Sequence, residues 1–191
     1  RRRQIEGLLG PGGAATVDGV ITRWRERVAA FATGEQGYGL WSCRCDEIRV
    51  RACQPGDEHR ILPLFEGVFY HRRSLEHWVW KYREHPLGGP NVAVGVAPDG
   101  GLAAHFAAYP VPFRSAVPGL ADCASMQVGD TMTHPAYRRK GLGRTGLLAR
   151  VAHYHYDRFC RGQVPFLYGF NTGAIRTLGE RYLGYEYLPP V

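Results

Sequence analysis

The chain has almost no lysine, few methionines and no long apolar run. Only two of its 24 basic residues, Lys81 and Lys140, are lysines, and the others are arginines. No apolar stretch reaches the ~18 residues that a membrane-spanning helix requires. The first residues, RRRQIEGLLGPGG, hold too short an apolar stretch for a secretory signal. The sequence therefore predicts no membrane partner.

Cysteines are few, and their spacing supports neither a disulfide framework nor a zinc site. An odd number without a secretory signal predicts a reducing, cytoplasmic location. The eight histidines are scattered, so we expect no metal. A cysteine nucleophile is disfavoured because no histidine partner is visible for Cys123 or Cys160. The five cysteines are Cys43, Cys45, Cys53, Cys123 and Cys160.

The net charge is +7, carried almost entirely by arginine, which suits phosphate groups. Nucleic acid, a membrane surface or a phosphorylated cofactor could each use such a surface. A generically basic surface explains the charge equally well. No basic patch interleaved with aromatic residues is present, so a nucleic-acid partner is not favoured.

Residues 1–47 differ from the rest and are predicted to form an N-terminal helical appendage and connector. Asp18 could cap a helix through VITRWRERVAAF, and the glycine-rich stretch TGEQGYGLWSCRC follows it. A partner-binding helix is the alternative. Because the chain does not start with Met, we expect it to be processed or part of a longer protein.

Residues 48–191 carry the pattern of one α/β domain. Alternation in IRVRA predicts a first strand. Asp57 then opens a helix, and Ser74 caps a second helix that stops at Pro86. Five apolar side chains are predicted on the inner face of the first helix: Ile61, Leu62, Leu64, Phe65 and Phe69.

Further along, two apolar runs flank a PDGG turn and predict a hairpin. DCASMQVGDTMT is predicted as a fourth strand, and a helix follows over roughly residues 142–159. VPFLYGF has the apolar character of a buried strand, AIRTLGERYL is helical, and GYEYLPPV is predicted as a last strand. The order β-α-α-β-β-β-α-β-α-β predicts an α/β fold with a mixed central sheet flanked by helices.

The stretch THPAYRRKGLGRTG joins the fourth strand to the third helix. A helix amino terminus exposes N–H groups that attract anions, and Gly141 and Gly143 remove side chains that would block a phosphate. The spacing matches neither common nucleotide-binding glycine motif. The surrounding cations, which would strengthen an anion site, are Arg138, Arg139, Lys140 and Arg144.

The segment VGDTMTHPAYRRKGLGRTGLLARVA resembles the acyl-CoA-binding motif of the GNAT superfamily of N-acetyltransferases. That motif is Arg/Gln-x-x-Gly-x-Gly/Ala, matched by Arg138, Gly141 and Gly143. LYGFNTGAIRTLGERYLGYEYL resembles the family's fifth strand, loop asparagine, following helix and closing Gly-aromatic pair. The resemblance covers about residues 48–191, and residues 1–47 match no family known to us.

The resemblance implies an N-acyltransferase that moves an acetyl or short acyl group from acyl-CoA to a primary amine of a small molecule or protein. The amine would attack the thioester directly, between a splayed fourth and fifth strand. The alternative is a GNAT-like module that binds acyl-CoA without transferring the acyl group. The residues assigned to acyl-CoA, the first two through their backbone amides, are Met132, Thr133, Arg138, Arg139, Lys140, Gly141, Leu142, Gly143, Arg144 and Asn171.

Two residues are candidates for catalysis. By alternation Asp130 shares one strand face with Met126, Val128 and Met132, where burial would raise its pKa and suit a general base. A structural Asp that holds loop amides is the other interpretation. Some family members place a Glu base near Gln127, and Gln cannot accept the proton. Tyr182 is the candidate general acid for the departing thiolate, with a core aromatic as its alternative.

Other residues near these elements have a functional and a structural interpretation. Gly129 could mark a bulge or a close backbone approach in the fourth strand. Asn171 could bind the pantetheine or acyl part, or simply occupy a turn. His134 could transfer protons or lie at the surface. Glu66, Tyr70 and His71 could contact the acceptor amine.

The family closes its sheet with a further strand after the Gly-aromatic pair, whereas this chain stops at LPPV. A partner could supply that strand, the chain could be truncated, or the last strand could end early. An open sheet edge invites pairing between copies, so a homodimer is expected.

Overall fold

The structure is a computed structural model that describes residues 48–116, 119, 121–138, 146–170 and 173–188. The predicted N-terminal appendage and connector, residues 1–47, lies outside the described residues.

The described residues form one five-stranded sheet with the strands in chain order. Strands β1 to β4 are antiparallel, and β5 pairs parallel to β4, which confirms the predicted mixed sheet. The third and fourth strands are the longest, and the last is only two residues long. The strands are β1 (Arg49–Ala52), β2 (Asn91–Val96), β3 (Leu102–Phe113), β4 (Cys123–Thr133) and β5 (Leu167–Tyr168).

The described residues include four α-helices, of which three lie between strands and the last follows β5, and two of them continue as a π-helical turn. Ser74 caps the second helix as predicted, since its side chain accepts a hydrogen bond from the His77 N–H at 3.2 Å. A short 3₁₀ turn, Pro135–Tyr137, follows β4. The helices are α1 (Glu58–Phe69), α2 (Leu75–Trp78, continued by Val79–Arg83), α3 (Leu147–His155, continued by Tyr156–Cys160) and α4 (Gly173–Tyr182).

The sheet lies between two apolar layers. On one face α1 and α2 bury Ile61, Phe65 and Trp78 against the sheet. On the other face α3 and α4 cover the sheet, and Val151 of α3 is buried in the same cluster as Phe106 of β3. The predicted inner face of α1 is confirmed for Ile61, Leu64 and Phe65, which are fully buried, and Leu62 is half-buried. Phe69 is instead exposed, because α1 ends at this residue.

Two predicted boundaries are wrong. Helix α3 begins at Leu147 rather than near residue 142, because Gly146 has an extended conformation with ψ of 150°. The predicted last strand is absent from residues 184–188. Instead, the Tyr185 N–H donates to the Gly179 carbonyl at 3.1 Å, and Arg176 stacks on Tyr187 at 3.4 Å. The chain after α4 therefore folds back on that helix instead of joining the sheet.

The packing of the chain end on α4 depends on Gly179 of that helix, and a substitution there tests it. A Cβ at Gly179 would lie 2.3 Å from the Tyr185 ring, so Gly179→Ala is expected to lower the free energy of unfolding by about 1–3 kcal/mol. A Cβ at Gly67 in α1 meets nothing within 4 Å, so Gly67→Ala should raise it by up to about 1 kcal/mol. Urea unfolding compares the two variants. Equal effects would contradict the packing of Tyr185 on α4.

In the part of the chain that the structure describes, none of the helices combines the length and apolar character needed to cross a membrane.

Candidate active site

The sheet opens between β4 and β5. Their ladder consists of two residue pairs, Met126 with Leu167 and Gln127 with Tyr168, after which β5 ends. Strand β4 continues to Thr133. Within the described residues, the edge of β4 beyond Gln127 therefore has no strand partner. The main-chain N–H and C=O groups of this edge can form hydrogen bonds with an extended ligand in place of a strand.

A β-bulge interrupts β4 at this opening. Ala107 of β3 pairs with Gly129, but His105 pairs with Met132, so β4 carries one extra residue in between. Asp130 takes a left-handed conformation with φ of 52°, which is uncommon outside glycine, asparagine and aspartate. The bulge bends the strand where the sheet opens.

The bulge also corrects the predicted faces of β4. Met126 and Val128 pack in the layer of α3, whereas Met132 packs in the layer of α1 and α2. The prediction that these three residues share one face with Asp130 is wrong, because the extra residue reverses the alternation of side chains. Asp130 points toward α2.

Asp130 is the centre of a charged cluster that we call the Asp130 cluster: Asp130, Arg73, Lys81 and Tyr82. Both terminal guanidinium nitrogens of Arg73 donate to the carboxylate, one of them to Oδ1 at 3.1 Å. The Tyr82 hydroxyl donates to Oδ2 at 2.6 Å, and Lys81 Nζ lies 3.3 Å from the same oxygen. The side chains of Arg73, Lys81 and Asp130 are 11%, 18% and 10% exposed.

These contacts lower the pKa of Asp130 to about 2. Burial by itself raises the pKa, but the Arg73 hydrogen bonds, the Lys81 charge and the Tyr82 hydroxyl outweigh it. The expectation of a raised pKa is wrong. A carboxylate that holds two cations and a hydroxyl is a weak proton acceptor at neutral pH, so the geometry favours a structural role for this residue.

His105 holds the bulge from β3. Its ring is fully buried, and Nδ1 lies 2.7 Å from the Asp130 carbonyl oxygen. Burial lowers the pKa of His105 to about 4, although the charge of Asp130 opposes this shift. The neutral ring therefore donates from Nδ1, since a carbonyl can only accept. This hydrogen bond fixes the backbone of Asp130.

Gly129 has the close approach predicted for it. A Cβ at this position would lie 3.1 Å from the Tyr82 hydroxyl and 3.2 Å from Lys81 Nζ. The missing side chain lets Lys81 and Tyr82 reach the strand beside the opening.

Gln127, the last β4 residue that pairs with β5, is half-buried beside two tyrosines. The Tyr168 hydroxyl donates to Gln127 Oε1 at 2.9 Å, and Tyr109 is its direct partner on β3. Lys81 Nζ lies 5.4 Å from the centre of the Tyr109 ring. Aromatic rings, an amide and a cation thus share the α2 side of the opening.

The end of β4 brings together three of the residues predicted to bind acyl-CoA. Met132 is buried, Thr133 is half-buried, and Arg138 is exposed after the 3₁₀ turn with its Nε donating to the Thr133 carbonyl at 3.3 Å. His134 is exposed and accepts the Ala136 N–H at 3.2 Å, which is the surface position considered for it. The other predicted residues lie outside the described residues: Arg139, Lys140, Gly141, Leu142, Gly143, Arg144 and Asn171.

Tyr182 does not join the Asp130 cluster. It is the last residue of α4, and its carbonyl accepts a hydrogen bond from His153 of α3 at 3.2 Å. It thus belongs to the helix layer on the other face of the sheet. The Glu66, Tyr70 and His71 side chains are exposed near the end of α1.

Sequence reasoning missed the partners of Asp130. One signal could have found them: a carboxylate in an apolar strand requires a buried cation. Lys81, which lies among aromatic residues in the stretch WVWKYR of the second predicted helix, met that requirement. His105 gave no such signal, because a histidine in a strand has no distinctive pattern. Among the described residues no group of three or more His, Cys, Asp or Glu residues could hold a metal ion.

An antiparallel sheet with one parallel strand at its edge, opened beside a bulge and covered by helices on both faces, defines an acyltransferase fold of the GNAT type. The family model described as "Acetyltransferase (GNAT) domain" matches residues 49–185, and the chain belongs to this family. The resemblance stated from the sequence is thereby confirmed.

Solved structures with the same fold share little sequence with this chain. An acetyltransferase from Trypanosoma brucei is 13% identical (TM-score 0.55), with 76% of this chain and 96% of that chain covered. Glucosamine-6-phosphate N-acetyltransferase from Arabidopsis thaliana is 12% identical (TM-score 0.55; 76% and 96% covered). A GNAT family acetyltransferase from Brucella melitensis in complex with acetyl-CoA is 16% identical (TM-score 0.51; 71% and 83% covered). No curated protein matches the chain.

Proposed function

We propose that this protein transfers an acetyl or short acyl group from acyl-CoA to a primary amine of a small molecule or protein. The observation that carries the proposal is the opening between β4 and β5, where the edge of β4 beyond Gln127 has no strand partner among the described residues. An extended pantetheine arm, with its two amide groups, suits such an edge.

We assign the CoA pyrophosphate to the glycine-basic turn. Arg138 is exposed at the entrance to this turn, directly after β4. The turn residues of the motif, Gly141 and Gly143 among them, and Asn171 stay in the proposal on the strength of the sequence pattern. The backbone amides of Met132 and Thr133 are proposed to bind the pantetheine and the thioester.

The reaction would be a direct transfer. The nitrogen of the neutral amine attacks the thioester carbon, a C–N bond forms, the C–S bond breaks, and CoA leaves as a thiolate. The nitrogen gives up one proton and the thiolate takes one, so an amide and free CoA result. Positioning at the open edge would supply most of the rate acceleration.

Proton transfer is proposed to use water on the acceptor side. Gln127 cannot accept a proton, and the lowered pKa of Asp130 removes the case for a general base there. Asp130 instead acts as a positioning residue that fixes Arg73 and Lys81. Tyr182 stays our candidate for protonating the thiolate, on the strength of its place in α4.

The second candidate function is binding or sensing of acyl-CoA without transfer. The observation in its favour is that no base is evident at Gln127 or Asp130. Gln127 stands where some family members have a Glu base, and Asp130 is held in an ion pair. Without a base, transfer would depend on the small neutral fraction of the amine.

A thiol-release assay with acetyl-CoA and a panel of amines, run beside calorimetric titration with CoA, tests the proposal. We expect CoA to bind and thiol to be released with at least one amine. Binding without release on any amine would favour the sensor. If CoA does not bind, both functions are excluded.

The number and spacing of the cysteines support a cytoplasmic location. Within the described residues no strand lies beyond β5, and an open sheet edge supports a homodimer formed by strand pairing. The basic surface is assigned to CoA rather than to nucleic acid or a membrane.

A further inference from the structure

The Asp130 cluster carries more positive than negative charge. Arg73 and Lys81 are cations, and Asp130 is the one carboxylate within ion-pair distance of either in the part of the chain described. Tyr82 lies against the same carboxylate and contributes no charge, since burial raises its pKa. Burial keeps the nearby ring of His105 neutral. One positive charge is therefore left over in a site that is about nine-tenths buried.

Lys81 carries this excess charge. Arg73 uses both of its terminal nitrogens on Asp130, whereas Lys81 gives the carboxylate a single, longer contact of 3.3 Å. An ammonium group has three N–H donors. Among the described residues, Asp130 is the one hydrogen-bond acceptor of Lys81, so two donors are left for a ligand. The other neighbours of Nζ are the rings of Tyr82 and Tyr109, at 5.1 and 5.4 Å from their centres.

Lys81 also lies at the right place to meet an acceptor. Its Nζ reaches over Gly129, at 3.2 Å from the Cβ that another residue would have there. Gly129 is two residues past the point where β4 and β5 separate. Beside it, Tyr109 of β3 supplies an aromatic ring and Gln127 of β4 an amide, and neither group neutralises a cation. A partly buried ammonium group with free donors binds a carboxylate or phosphate strongly.

We infer that the acceptor amine carries an anionic group, a carboxylate or a phosphate, which binds to Lys81 Nζ beside the opened edge of β4. The inference rests on the proposed function and adds the substrate class. Lys81 is a specificity residue in this view, and Asp130 and Arg73 hold it in place. The anion completes the charge balance of the Asp130 cluster when the acceptor is bound.

Matched acceptor pairs test the inference. Phenylalanine is compared with 2-phenylethylamine, and O-phosphoethanolamine with ethanolamine, at one pH and with acetyl-CoA. For at least one pair, we expect kcat/KM to be about 10- to 100-fold higher for the anionic amine, mainly through KM. The pair that shows the preference identifies the anion as a carboxylate or a phosphate.

Lys81→Met is expected to reduce that preference to about one, and calorimetry with CoA checks that the variant is folded. Arg49→Met is the control variant, because it also removes one cation, in this case an exposed one that lies on β1 at the far edge of the sheet. It should retain the preference. Equal kcat/KM values within both pairs, or a preference that survives in Lys81→Met, would overturn the inference while the acyltransferase function stands.

A second measurement does not depend on turnover. Lys81 and Lys140 are the only lysines, so isotope-labelled lysine gives two side-chain NMR signals that Lys81→Met assigns. In the CoA-bound protein, an anionic amine should shift the Lys81 signal, and its neutral match should not. An unmoved Lys81 signal overturns the inference. A preference for succinyl-CoA over acetyl-CoA that is lost in Lys81→Met also overturns it, since the anion would then belong to the acyl group. Failure to bind CoA removes the proposed function and the inference together.

Discussion

Asp130→Asn is expected to lower the free energy of unfolding by about 3 kcal/mol. The change removes the one negative charge that compensates Arg73 and Lys81, both of which are largely buried. Asparagine is the suitable replacement, because it tolerates the left-handed backbone of residue 130 and has almost the same size. The loss therefore reports charge rather than strain. Denaturant unfolding at neutral pH measures it.

A matched control is Asp157→Asn, whose carboxylate is 37% exposed and pairs with Arg161 one helical turn away. Exposed pairs of this kind contribute about 0.3–0.5 kcal/mol, so the control should be nearly neutral. Similar losses of unfolding free energy in both variants would contradict the idea that Asp130 compensates the buried charges of Arg73 and Lys81.

The pH dependence of the stability of Asp130→Asn gives an independent test. The pKa of Asp130 falls from 3.8 to about 2 on folding. A lowered pKa contributes stability above the unfolded value, and this contribution disappears as the pH falls through the folded value. It corresponds to about 2 kcal/mol. The difference in the free energy of unfolding between wild type and Asp130→Asn should therefore become smaller as the pH falls from about 4 to 2. A constant difference would show that the carboxylate is not held by cations.

Gly143→Glu is expected to weaken CoA binding at least about 100-fold while the fold persists. A glutamate at this place in the motif brings bulk and negative charge to the proposed phosphate site, and both oppose a pyrophosphate. Calorimetric titration with CoA measures the loss, and thermal unfolding checks the fold.

Gly67→Glu is the matched control for this test. It adds the same charge on α1, where a new side chain meets nothing within 4 Å of its Cβ. Its affinity for CoA should equal that of the wild type. An unchanged affinity in Gly143→Glu would remove the pyrophosphate from the glycine-basic turn.

Much of the fold could be predicted because local patterns determine it. Alternation and turn residues located β1 to β4, and the apolar stripe and the Ser74 cap located α1 and α2. The last predicted strand failed for a tertiary reason. Tyr185 packs on Gly179 of α4, and no pattern within GYEYLPPV shows that this contact exceeds strand pairing.

The site was predictable in part. The high free energy of a carboxylate in an apolar strand directed attention to Asp130. Its partners Arg73 and Lys81 lie 57 and 49 positions away in the chain, which local periodicity cannot connect. The bulge was equally hidden, because one extra residue leaves the composition of a strand unchanged. Both errors about Asp130, its face and the direction of its pKa shift, follow from these contacts.

The bulge at Asp130 makes β4 two half-strands that differ in phase. Side chains before it alternate in one order, and side chains after it alternate in the opposite order. An apolar residue at an even position is therefore buried by α3 before the bulge and by α1 and α2 after it. A one-residue insertion or deletion near residue 130 would change the phase of only one half. The length of β4 is thus under separate constraint on each side of the opening.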